Sequence, residues 1–449
     1  MTAAAPSSTD IWEESRRRLI PGTMVGSLIE WYDIAIYGQA AALVFGTLFF
    51  PSFSSTAGLV AAFATFGVGY FARPIGAAIF GHVGDRYGRR IALVATLLLM
   101  GVATTLIGLL PTYAAIGVGA PILLAVLRLL QGLAVGAEYV GAVTMVAEFA
   151  PSRRRGYFSS LPAAGVFLGI GLAAAVSGAV ALLPQEQLLS WGWRIPFLLS
   201  IIVVAVGLVI RLRVPESPVF ADLKAARAET RVPAADMLRA MPKRLVLAMI
   251  ANGPLAFNIY VVQTYALSYL KTKGVPSSTS LLALLVGCAV GALAIPLVGR
   301  WSDTAGRRPV YVVVSGFCAL ISFPFFWLLD TTNPALIVLA FALALGGGCL
   351  AIFGSQAAYF AELFPAQYRL SGFGLSREIP GAVLAGPAPV IAVGLVAAVG
   401  GPWLLATAMV VVAVASLLAV LALPETRGID LDPVVDQDGI AAPGHGVSR

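Results

Sequence analysis

The sequence predicts an all-α membrane protein of twelve transmembrane helices, arranged as two related six-helix bundles. Composition, the placement of basic residues and an internal repeat lead to this prediction. Charged residues make up 11% of the 449 residues and hydrophobic residues 59%, with a mean hydropathy of +0.90. Soluble domains carry about 25% charged residues. A soluble fold could not bury this much apolar surface, so lipid must be the solvent for much of the chain.

Twelve apolar segments are long enough to cross a bilayer, which takes about 20 residues each. They lie at 20–46, 57–80, 91–110, 116–147, 158–182, 194–211, 244–270, 279–300, 309–329, 335–361, 371–398 and 402–423. The predicted domains are a tail (1–18), an amino-terminal bundle (19–211), a linker (212–243), a carboxy-terminal bundle (244–424) and a second tail (425–449). We expect no cleavable signal peptide, because the first apolar segment is too long for one.

Basic residues lie almost entirely in alternate connections between the spans. Only Lys271 and Lys273 fall in the other set. This positive-inside pattern predicts that both termini are cytoplasmic. It also explains the net charge of +7 without nucleic acid, because such a surface faces anionic lipid. Low lysine and high alanine suggest a bacterial source, and we expect the inner membrane.

The chain repeats itself in three motifs that occur twice in the same order. "GHVGDRYGRR" (81–90) matches "GRWSDTAGRR" (299–308), and "AEFAPSRRR" (147–155) matches "AELFPAQYR" (361–369). "PES" (215–217) recurs as "PET" (424–426). With six spans each, the two halves should be parallel repeats about an axis along the membrane normal.

These paired G-x-x-x-D-x-x-G-R-R loops on a six-plus-six frame resemble the major facilitator superfamily, from about residue 18 to 428. The segments "EWYDIAIYG" (30–38), "LRLLQGLAVGAEYVGA" (127–142) and "WGWRIPF" (191–197) are similar to the metabolite:proton symporters. That family includes transporters of proline and betaine, α-ketoglutarate, citrate and shikimate, and the amino-terminal half looks most like the shikimate branch. The resemblance implies alternating access, in which two bundles rock around a central site and a proton gradient drives uptake.

Three carboxylates inside the amino-terminal bundle are the proton-coupling candidates: Asp33, Glu30 and Glu138. A charge at the bilayer centre costs at least about 3 kcal/mol, so it indicates function. At about 1.5 Å per residue all three lie near mid-membrane. Glu30 and Asp33, three residues apart, should share a helix face. Both cannot ionise cheaply, so one should carry a proton, and we favour Asp33. The alternative is that these charges only pair to lock the bundle.

The strongest substrate-binding candidate is Arg128, which lies three residues before Gln131 and could grip a carboxylate with it. Arg73 on the second span is next. The seventh span is interrupted at Gly253-Pro254, as gating helices often are, and polar side chains follow. The whole predicted set is Arg128, Gln131, Arg73, Tyr37, Tyr139, Asn258, Tyr260, Gln263 and Gln356. Arg377 and Glu378 should form an ion pair on the cytoplasmic side, with the cavity within reach of Glu378.

Charges of alternating sign at one membrane face predict a cytoplasmic gate, which holds the inner ends of both bundles together and breaks on inward opening. Its members are Asp85, Arg89, Arg90, Glu148, Arg155, Asp303, Arg307, Arg308, Glu362 and Arg369. The alternative is that these arginines only set the direction of insertion. The superfamily resemblance implies a gate that does not bind substrate.

The predicted function is proton-coupled symport of a small polar metabolite, a carboxylate or a zwitterion. The alternative is a proton-driven efflux antiporter for a drug or natural product. An enzyme is not predicted, because the sequence has no nucleotide-binding loop. The sequence has only two histidines, and its three cysteines lie in apolar runs without the spacing of a metal site. We therefore expect no metal and no cofactor. The expected partners are the solute, protons and the lipid bilayer, without nucleic acid, and the protein should be a monomer.

Overall fold

The computed structural model describes residues 8–87, 89–135, 138–213, 233–349, 351–429 and 431, which form helices and no strand. The all-α prediction is confirmed. Ten of the helices in this part of the chain are long and apolar enough to span a membrane. A bent helix pair supplies an eleventh span, and a helix with a shorter apolar stretch, Val94–Leu109, supplies the twelfth. Each predicted span therefore has a helix.

The spanning helices are labelled α1 to α12 in chain order. They are α1 (Ser8–Ala40, continuing to Phe49), α2 (Ser55–Tyr87), α3 (Arg89–Leu109), α4 (Gly119–Ala134 and Glu138–Phe149), α5 (Arg155–Val180), α6 (Ile195–Arg213), α7 (Pro242–Ala251 and Gly253–Thr272), α8 (Ser277–Ala305), α9 (Arg307–Asp330), α10 (Pro334–Leu363), α11 (Arg369–Val399) and α12 (Trp403–Ala422). A short helix, Pro233–Ala240, precedes α7.

Contacts divide the helices into an amino-terminal half and a carboxy-terminal half. In the first half α1 packs on α5, α2 on α4, and α3 on α4 and α6. In the second half α8 packs on α10, α9 on α10 and α12, and α7 on α11 and α12. The halves meet mainly through α5 and α8, and also where α2 meets α11 and α4 meets α10.

Glycines allow the closest approach between the two halves. A Cβ added to Gly156 of α5 would lie 2.4 Å from the carbonyl oxygen of Gly299 of α8. That distance is far below van der Waals contact, so any larger residue would separate the helices. Small residues at such crossings let helix backbones touch, which is a main source of packing in membranes.

Several spans are not regular α-helices. The two parts of α7 are bent by 54° around Asn252, as predicted from the Gly253-Pro254 sequence, because Pro254 cannot donate to the preceding turn. The first part of α4 ends at Ala134. At the matching position of the repeat, Gly348 in α10 has a non-helical backbone (φ −101°, ψ −106°). Breaks in helices α4 and α10 are thus related by the repeat.

Candidate functional site

Asp33 is buried inside the amino-terminal half, with 1% of its surface exposed. Its Oδ1 accepts a hydrogen bond from Ser200 Oγ of α6 at 2.5 Å. Its Oδ2 accepts one from Thr104 Oγ1 of α3 at 3.0 Å. Both partners are hydroxyls, which can donate to a carboxylate or accept from a carboxylic acid. The site can therefore hydrogen-bond either protonation state of Asp33.

Arg128 of α4 is buried beside aromatic rings. Its guanidinium carbon lies 4.4 Å from the ring centroid of Tyr37 and 4.9 Å from that of Phe66. Nε donates to the Phe66 carbonyl oxygen at 3.3 Å, and Nη1 donates to Gln131 Oε1 at 3.2 Å. Gly69 of α2 leaves the room for it, since an added Cβ would lie 2.8 Å from Nε. Among the described residues, Arg128 has no carboxylate within ion-pair distance.

Two polar side chains connect this arginine to the buried carboxylate. Gln131 Nε2 donates to Thr104 Oγ1 at 2.6 Å, while Gln131 Oε1 accepts from Arg128. Arg128, Gln131, Thr104 and Asp33 thus form one hydrogen-bonded series, which we name the Arg128–Asp33 chain. A cavity of about 10 Å³ lies against it, also lined by Arg73. A cavity of this size holds about one water molecule, so the protein encloses this site tightly.

Glu30 lies in a different environment, at the contact between the two halves. Its charged neighbours include Arg73, Glu138, Arg377 and Glu378, whereas the described side-chain hydrogen bonds of Asp33 go to α3 and α6. Competition between Glu30 and Asp33 for one proton stays a prediction. Residues three apart on a helix are separated by about 60° around its axis. That angle is enough to point one carboxylate into the half and the other towards its partner.

Charges from both halves surround Glu30. Arg73 Nη1 lies 4.0 Å from Glu378 Oε2 of α11, and the Arg377 guanidinium lies 3.9 Å from the ring centroid of Tyr139. Arg377 Nε and Glu378 Oε1 are 3.9 Å apart, so the predicted ion pair is present. We name this set the inter-bundle cluster: Glu30, Trp31, Arg73, Tyr139, Arg377 and Glu378.

The inter-bundle cluster contains buried polar atoms with no hydrogen-bond partner among the described residues. They include Glu30 Oε2, Trp31 Nε1, Arg377 Nη1 and Glu378 Oε2. Buried polar atoms in folded proteins are nearly always paired, and exceptions concentrate at functional sites. Donors and acceptors facing one another between two bundles could together bind a small polar solute.

Of the other predicted binding residues, some lie within one half and some lie where the two halves meet. Tyr260 Oη accepts from Tyr70 Oη at 2.5 Å, and the Tyr70 ring stacks on Arg73, which places Tyr260 beside the inter-bundle cluster. Tyr37 Oη donates to Thr65 Oγ1 at 2.7 Å. Gln263 is buried and its Oε1 has no described partner.

Asn258 and Gln356 bind other groups of the carboxy-terminal half. Asn258 Nδ2 donates to the Met409 carbonyl oxygen at 3.1 Å and to Cys318 Sγ at 3.4 Å. Gln356 Nε2 donates to Asn252 Oδ1 at 2.7 Å, at the bend of α7. These bonds place both side chains in the packing of that half, away from the Arg128–Asp33 chain.

Three residues of these sites escaped sequence reasoning. Thr104 and Ser200 are hydroxyl residues in apolar spans, where such residues are common and carry little signal. Arg377 was predicted to be an ion-pair partner at the cytoplasmic side, yet it contacts Tyr139 of the opposite half. The sequence could have indicated a functional role for Arg377, because an arginine inside a membrane span is costly and usually functional.

Glu362 at the end of α10 is the centre of the predicted gate. Its oxygens accept from Arg307 Nε and Nη2, both at 3.0 Å. They also accept from Arg155 Nη1 at 3.2 Å and Thr426 Oγ1 at 2.7 Å. Arg155 belongs to the amino-terminal half, so this ion pair joins the two halves.

Two further contacts join the halves at the same face. Asp303 of α8 accepts from the backbone N–H groups of Gly156 and Tyr157 at 2.7 and 2.9 Å, and so caps the amino terminus of α5. Arg369 Nη1 donates to Glu148 Oε1 at 2.7 Å. We name the gate face by its members: Glu148, Arg155, Asp303, Arg307, Glu362 and Arg369.

Of the other predicted gate residues, Arg308 is described and bonds within its own half. Arg308 donates to the carbonyl oxygen of Leu421 in its own half, and its backbone N–H binds Glu425 Oε2 at 3.0 Å. The side chains of Asp85, Arg89 and Arg90 lie outside the described part of the structure. In the described part of the structure, the gate face is formed by residues of the 147–155 and 361–369 repeats and of the second G-x-x-x-D-x-x-G-R-R loop.

The opposite face of the molecule is closed as well. Lys271 Nζ at the end of α7 donates to the carbonyl oxygen of Leu43 in α1 at 2.5 Å, which joins the two halves. Lys273 Nζ pairs with Asp330 Oδ1 at 3.0 Å within the carboxy-terminal half. We call this side the Lys271 face. Because the two halves touch at both faces, the protein encloses its central polar groups.

The described residues contain no group of three or more His, Cys, Asp or Glu side chains placed to hold a metal ion. Cys318 Sγ and Cys349 Sγ lie 3.4 Å apart inside the carboxy-terminal half. Cys288 is buried on α8.

Comparison with known proteins places these features in a family. The family model described as "Major Facilitator Superfamily" matches residues 23–379. The chain is 39% identical to "Shikimate transporter" of Escherichia coli (strain K12), over 86% of this chain and 89% of the relative. It is 37% identical to "Inner membrane metabolite transport protein YhjE" of the same organism, over 85% and 88%. It is 33% identical to "Ectoine/proline transporter ProP" of Corynebacterium glutamicum, over 84% and 77%.

Solved structures agree on the fold. A proton:xylose symporter XylE bound to 6-bromo-6-deoxy-D-glucose superposes with a TM-score of 0.72 at 18% identity, over 93% of this chain and 98% of that one. A crystal structure of a D-xylose-proton symporter gives 0.71 at 21% identity, over 92% and 99%. At these identities the likeness concerns the fold alone. The family model and the relatives at 33–39% identity show that the chain belongs to the Major Facilitator Superfamily of membrane transporters.

Proposed function

We propose that this transporter couples proton movement to the uptake of a small polar metabolite that carries a carboxylate, by alternating access. The Arg128–Asp33 chain carries the proposal. It joins a buried cation with no described carboxylate partner to a buried carboxylate with two hydroxyl partners. A charge in a membrane bundle is costly, so a cation and an acid kept close without a direct ion pair are best explained by ligands that come and go.

Arg128 is the group proposed to bind the carboxylate. An arginine has five N–H donors, and the described contacts use Nε and Nη1. The remaining donors can bind a carboxylate in a two-bond arrangement. Shikimate, ectoine and proline, which appear in the names of the relatives, all carry a carboxylate. The inter-bundle cluster would bind the rest of the solute, with Tyr260 beside it.

Asp33 is the proposed proton carrier. It lies deep in the amino-terminal half and keeps two hydrogen-bond partners whether or not it is protonated. Glu30, with Glu138 among its charged neighbours, is proposed to tune the contact between the halves. The gate face is proposed to be cytoplasmic because the basic connections lie there. This places both termini in the cytoplasm, and a monomer suffices for the mechanism.

Uptake into proteoliposomes tests this proposal. Shikimate, proline and ectoine serve as radiolabelled probes, with a proton gradient directed inwards. We expect at least one probe to accumulate, a protonophore to abolish accumulation, and Asp33→Asn to abolish it while retaining exchange of bound probe. The matched control is Asp330→Asn, the same change at a carboxylate that pairs with Lys273 at the Lys271 face, which should leave accumulation unchanged. Extrusion driven by the gradient, or normal accumulation by Asp33→Asn, would contradict the proposal.

A further inference from the structure

Thr104 lies between the proposed proton carrier and the proposed substrate-binding arginine. We infer that Thr104 and Gln131 are positioning residues that transmit the protonation of Asp33 to Arg128. The inference rests on the proposed function, because it takes Asp33 as the proton carrier and Arg128 as the carboxylate-binding group. It adds the connection between them, through two side chains that act by positioning.

The Thr104 hydroxyl has one proton and two acceptors. Its Oγ1 lies 3.0 Å from Asp33 Oδ2 and 2.8 Å from the Met100 carbonyl oxygen. It also accepts from Gln131 Nε2 at 2.6 Å. A hydroxyl donates one hydrogen bond and accepts up to two. Thr104 can therefore donate to Asp33 or to Met100 O, but not fully to both, and the protonation of Asp33 decides which.

With Asp33 ionised, the Thr104 proton points to the carboxylate. Donation to a charged acceptor polarises the hydroxyl, which makes its oxygen a better acceptor for Gln131 Nε2. The Gln131 amide is then held firmly, with Oε1 turned to Arg128 Nη1. In this state Gln131 occupies one donor of the guanidinium, in addition to the Nε donor that binds Phe66 O.

With Asp33 protonated at Oδ2, its new O–H donates to Thr104 Oγ1, and the Thr104 proton turns to Met100 O. The proton comes from hydronium on the side to which the transporter is open, and Thr104 keeps its own proton. Thr104 Oγ1 now accepts from both Asp33 and Gln131, so the bond from Gln131 weakens. The amide loosens its hold on Arg128, which frees a donor for the carboxylate. Protonation should therefore tighten substrate binding.

Tight packing around Thr104 and Gln131 limits the movement of the Arg128–Asp33 chain. Thr104 is fully buried and Gln131 is 2% exposed. A Cβ on Gly132, the residue after Gln131, would lie 2.1 Å from the Gly69 carbonyl oxygen, so α2 and α4 touch through their backbones here. Such a contact leaves Gln131 little freedom except rotation of its side chain.

Few charged groups other than Arg128 face Asp33. Helices α3 and α6 face it with the two hydroxyls, and the only charged residue of α5, Arg155, lies at the gate face. The neighbouring Tyr32 donates its phenol proton to the Pro196 carbonyl oxygen at 2.8 Å. Among the described residues, the charged and titratable groups near Asp33 include Arg128 of α4, Arg73 of α2 across the cavity, Tyr32 of α1 and, three residues earlier on α1, Glu30.

Two hydroxyls on one carboxylate provide a matched comparison. Thr104→Val and Ser200→Ala each remove one hydrogen bond to Asp33, but only Thr104 contacts Gln131. Through-space attraction between Arg128 and Asp33 operates in both variants. We expect acidification from pH 8 to pH 5.5 to lower the Kd of the tightest-binding probe among shikimate, proline and ectoine. This pH effect should be about fivefold smaller in Thr104→Val than in Ser200→Ala, the change for one ordinary hydrogen bond. Thr104→Ser should behave as the natural protein.

A measurement without substrate keeps the inference separate from the proposed function. Infrared difference spectra of the purified protein between pH 8 and pH 5.5 report the carboxyl band of Asp33 and the side-chain amide band of Gln131. Each band is assigned by its loss in Asp33→Asn or Gln131→Leu. We expect the Gln131 band to shift together with protonation of Asp33 in the natural protein and in Ser200→Ala, but not in Thr104→Val.

The outcomes distinguish the two hypotheses. A Gln131 band that stays fixed while Asp33 titrates, or that still shifts in Thr104→Val, overturns the inference and leaves the proposed function standing. An Asp33 band that does not titrate, together with normal accumulation by Asp33→Asn, overturns the proposed function itself. If Thr104→Val does not fold, Gln131→Leu cuts the same chain on its other side and should reduce the pH effect on Kd equally.

Discussion

At the scale of single residues, Gly69 determines where the Arg128 guanidinium can lie. Gly69→Ala would place a Cβ 2.8 Å from Nε, so the guanidinium must move and its bond to Phe66 O is lost. We expect the Kd of a bound carboxylate to rise about tenfold, since a hydrogen bond to a charged group contributes about 1.5 kcal/mol. Gly141→Ala on α4, the helix that carries Arg128, is the control, because nothing lies within 4 Å of its added Cβ. Equal affinities in the two variants would remove Gly69 from the site.

Sequence reasoning at this scale found the charged residues but missed their hydrogen-bond partners. Asp33 and Arg128 stood out because a charge inside a span is expensive. The neutral hydroxyls of Thr104 and Ser200 cost little there and gave no signal. The direction in which the Glu30 side chain points could not be predicted either, because two carboxylates three residues apart on a helix can have the same neighbours or different ones. Only the tertiary packing of α1 between the two halves decides between these arrangements.

At the scale of elements, the existence of all twelve spans was predictable, because hydropathy over about 20 residues is a strong signal in a bilayer. Their irregularities were predictable only where proline marks them, as in α7. The π-helical stretch Ala41–Phe45 consists of ordinary apolar residues. Nothing in this composition distinguishes it from regular helix.

The bend in α7 leads to a prediction of its own. Pro254 lies in the first turn of the second part of α7, directly after the bend, and Pro254→Ala supplies the backbone donor and removes the ring that keep the two parts from joining into one helix. We expect a higher melting temperature, slower turnover and little change in Kd. The reason is that a straighter α7 would lack the bend at Asn252, to which we assign a role in opening. Pro242→Ala is the control, since Pro242 lies in the first turn of α7, where no donor is needed. Faster turnover in Pro254→Ala would contradict a role of the bend in opening.

At the scale of the whole molecule, the two faces are closed by unequal means. The gate face has ion pairs shared between buried arginines and Glu362, and a helix cap by Asp303. In the part of the chain that the structure describes, the Lys271 face joins its halves through one side-chain bond to a backbone carbonyl, besides packing such as that of Gly38 beside Thr264. Charge-assisted pairs with several partners resist separation more than a single bond does. The Lys271 face should therefore open first.

Cys288 provides a native probe of that opening. It is buried on α8, where an added Cβ on Gly171 of α5 would lie 3.4 Å from its Cβ, while the other two cysteines lie within the carboxy-terminal half. Lys271→Gln removes the bond to Leu43 O, so we expect faster maleimide labelling of Cys288 than in the natural protein. Lys273→Gln is the control, because the described ion pair of Lys273 lies within its own half.

Glu362→Gln should loosen the gate face and leave Cys288 protected, since the α5–α8 contact near Cys288 lies towards the opposite end. Equal labelling in Lys271→Gln and Lys273→Gln would show that the Leu43 contact does not hold this face closed.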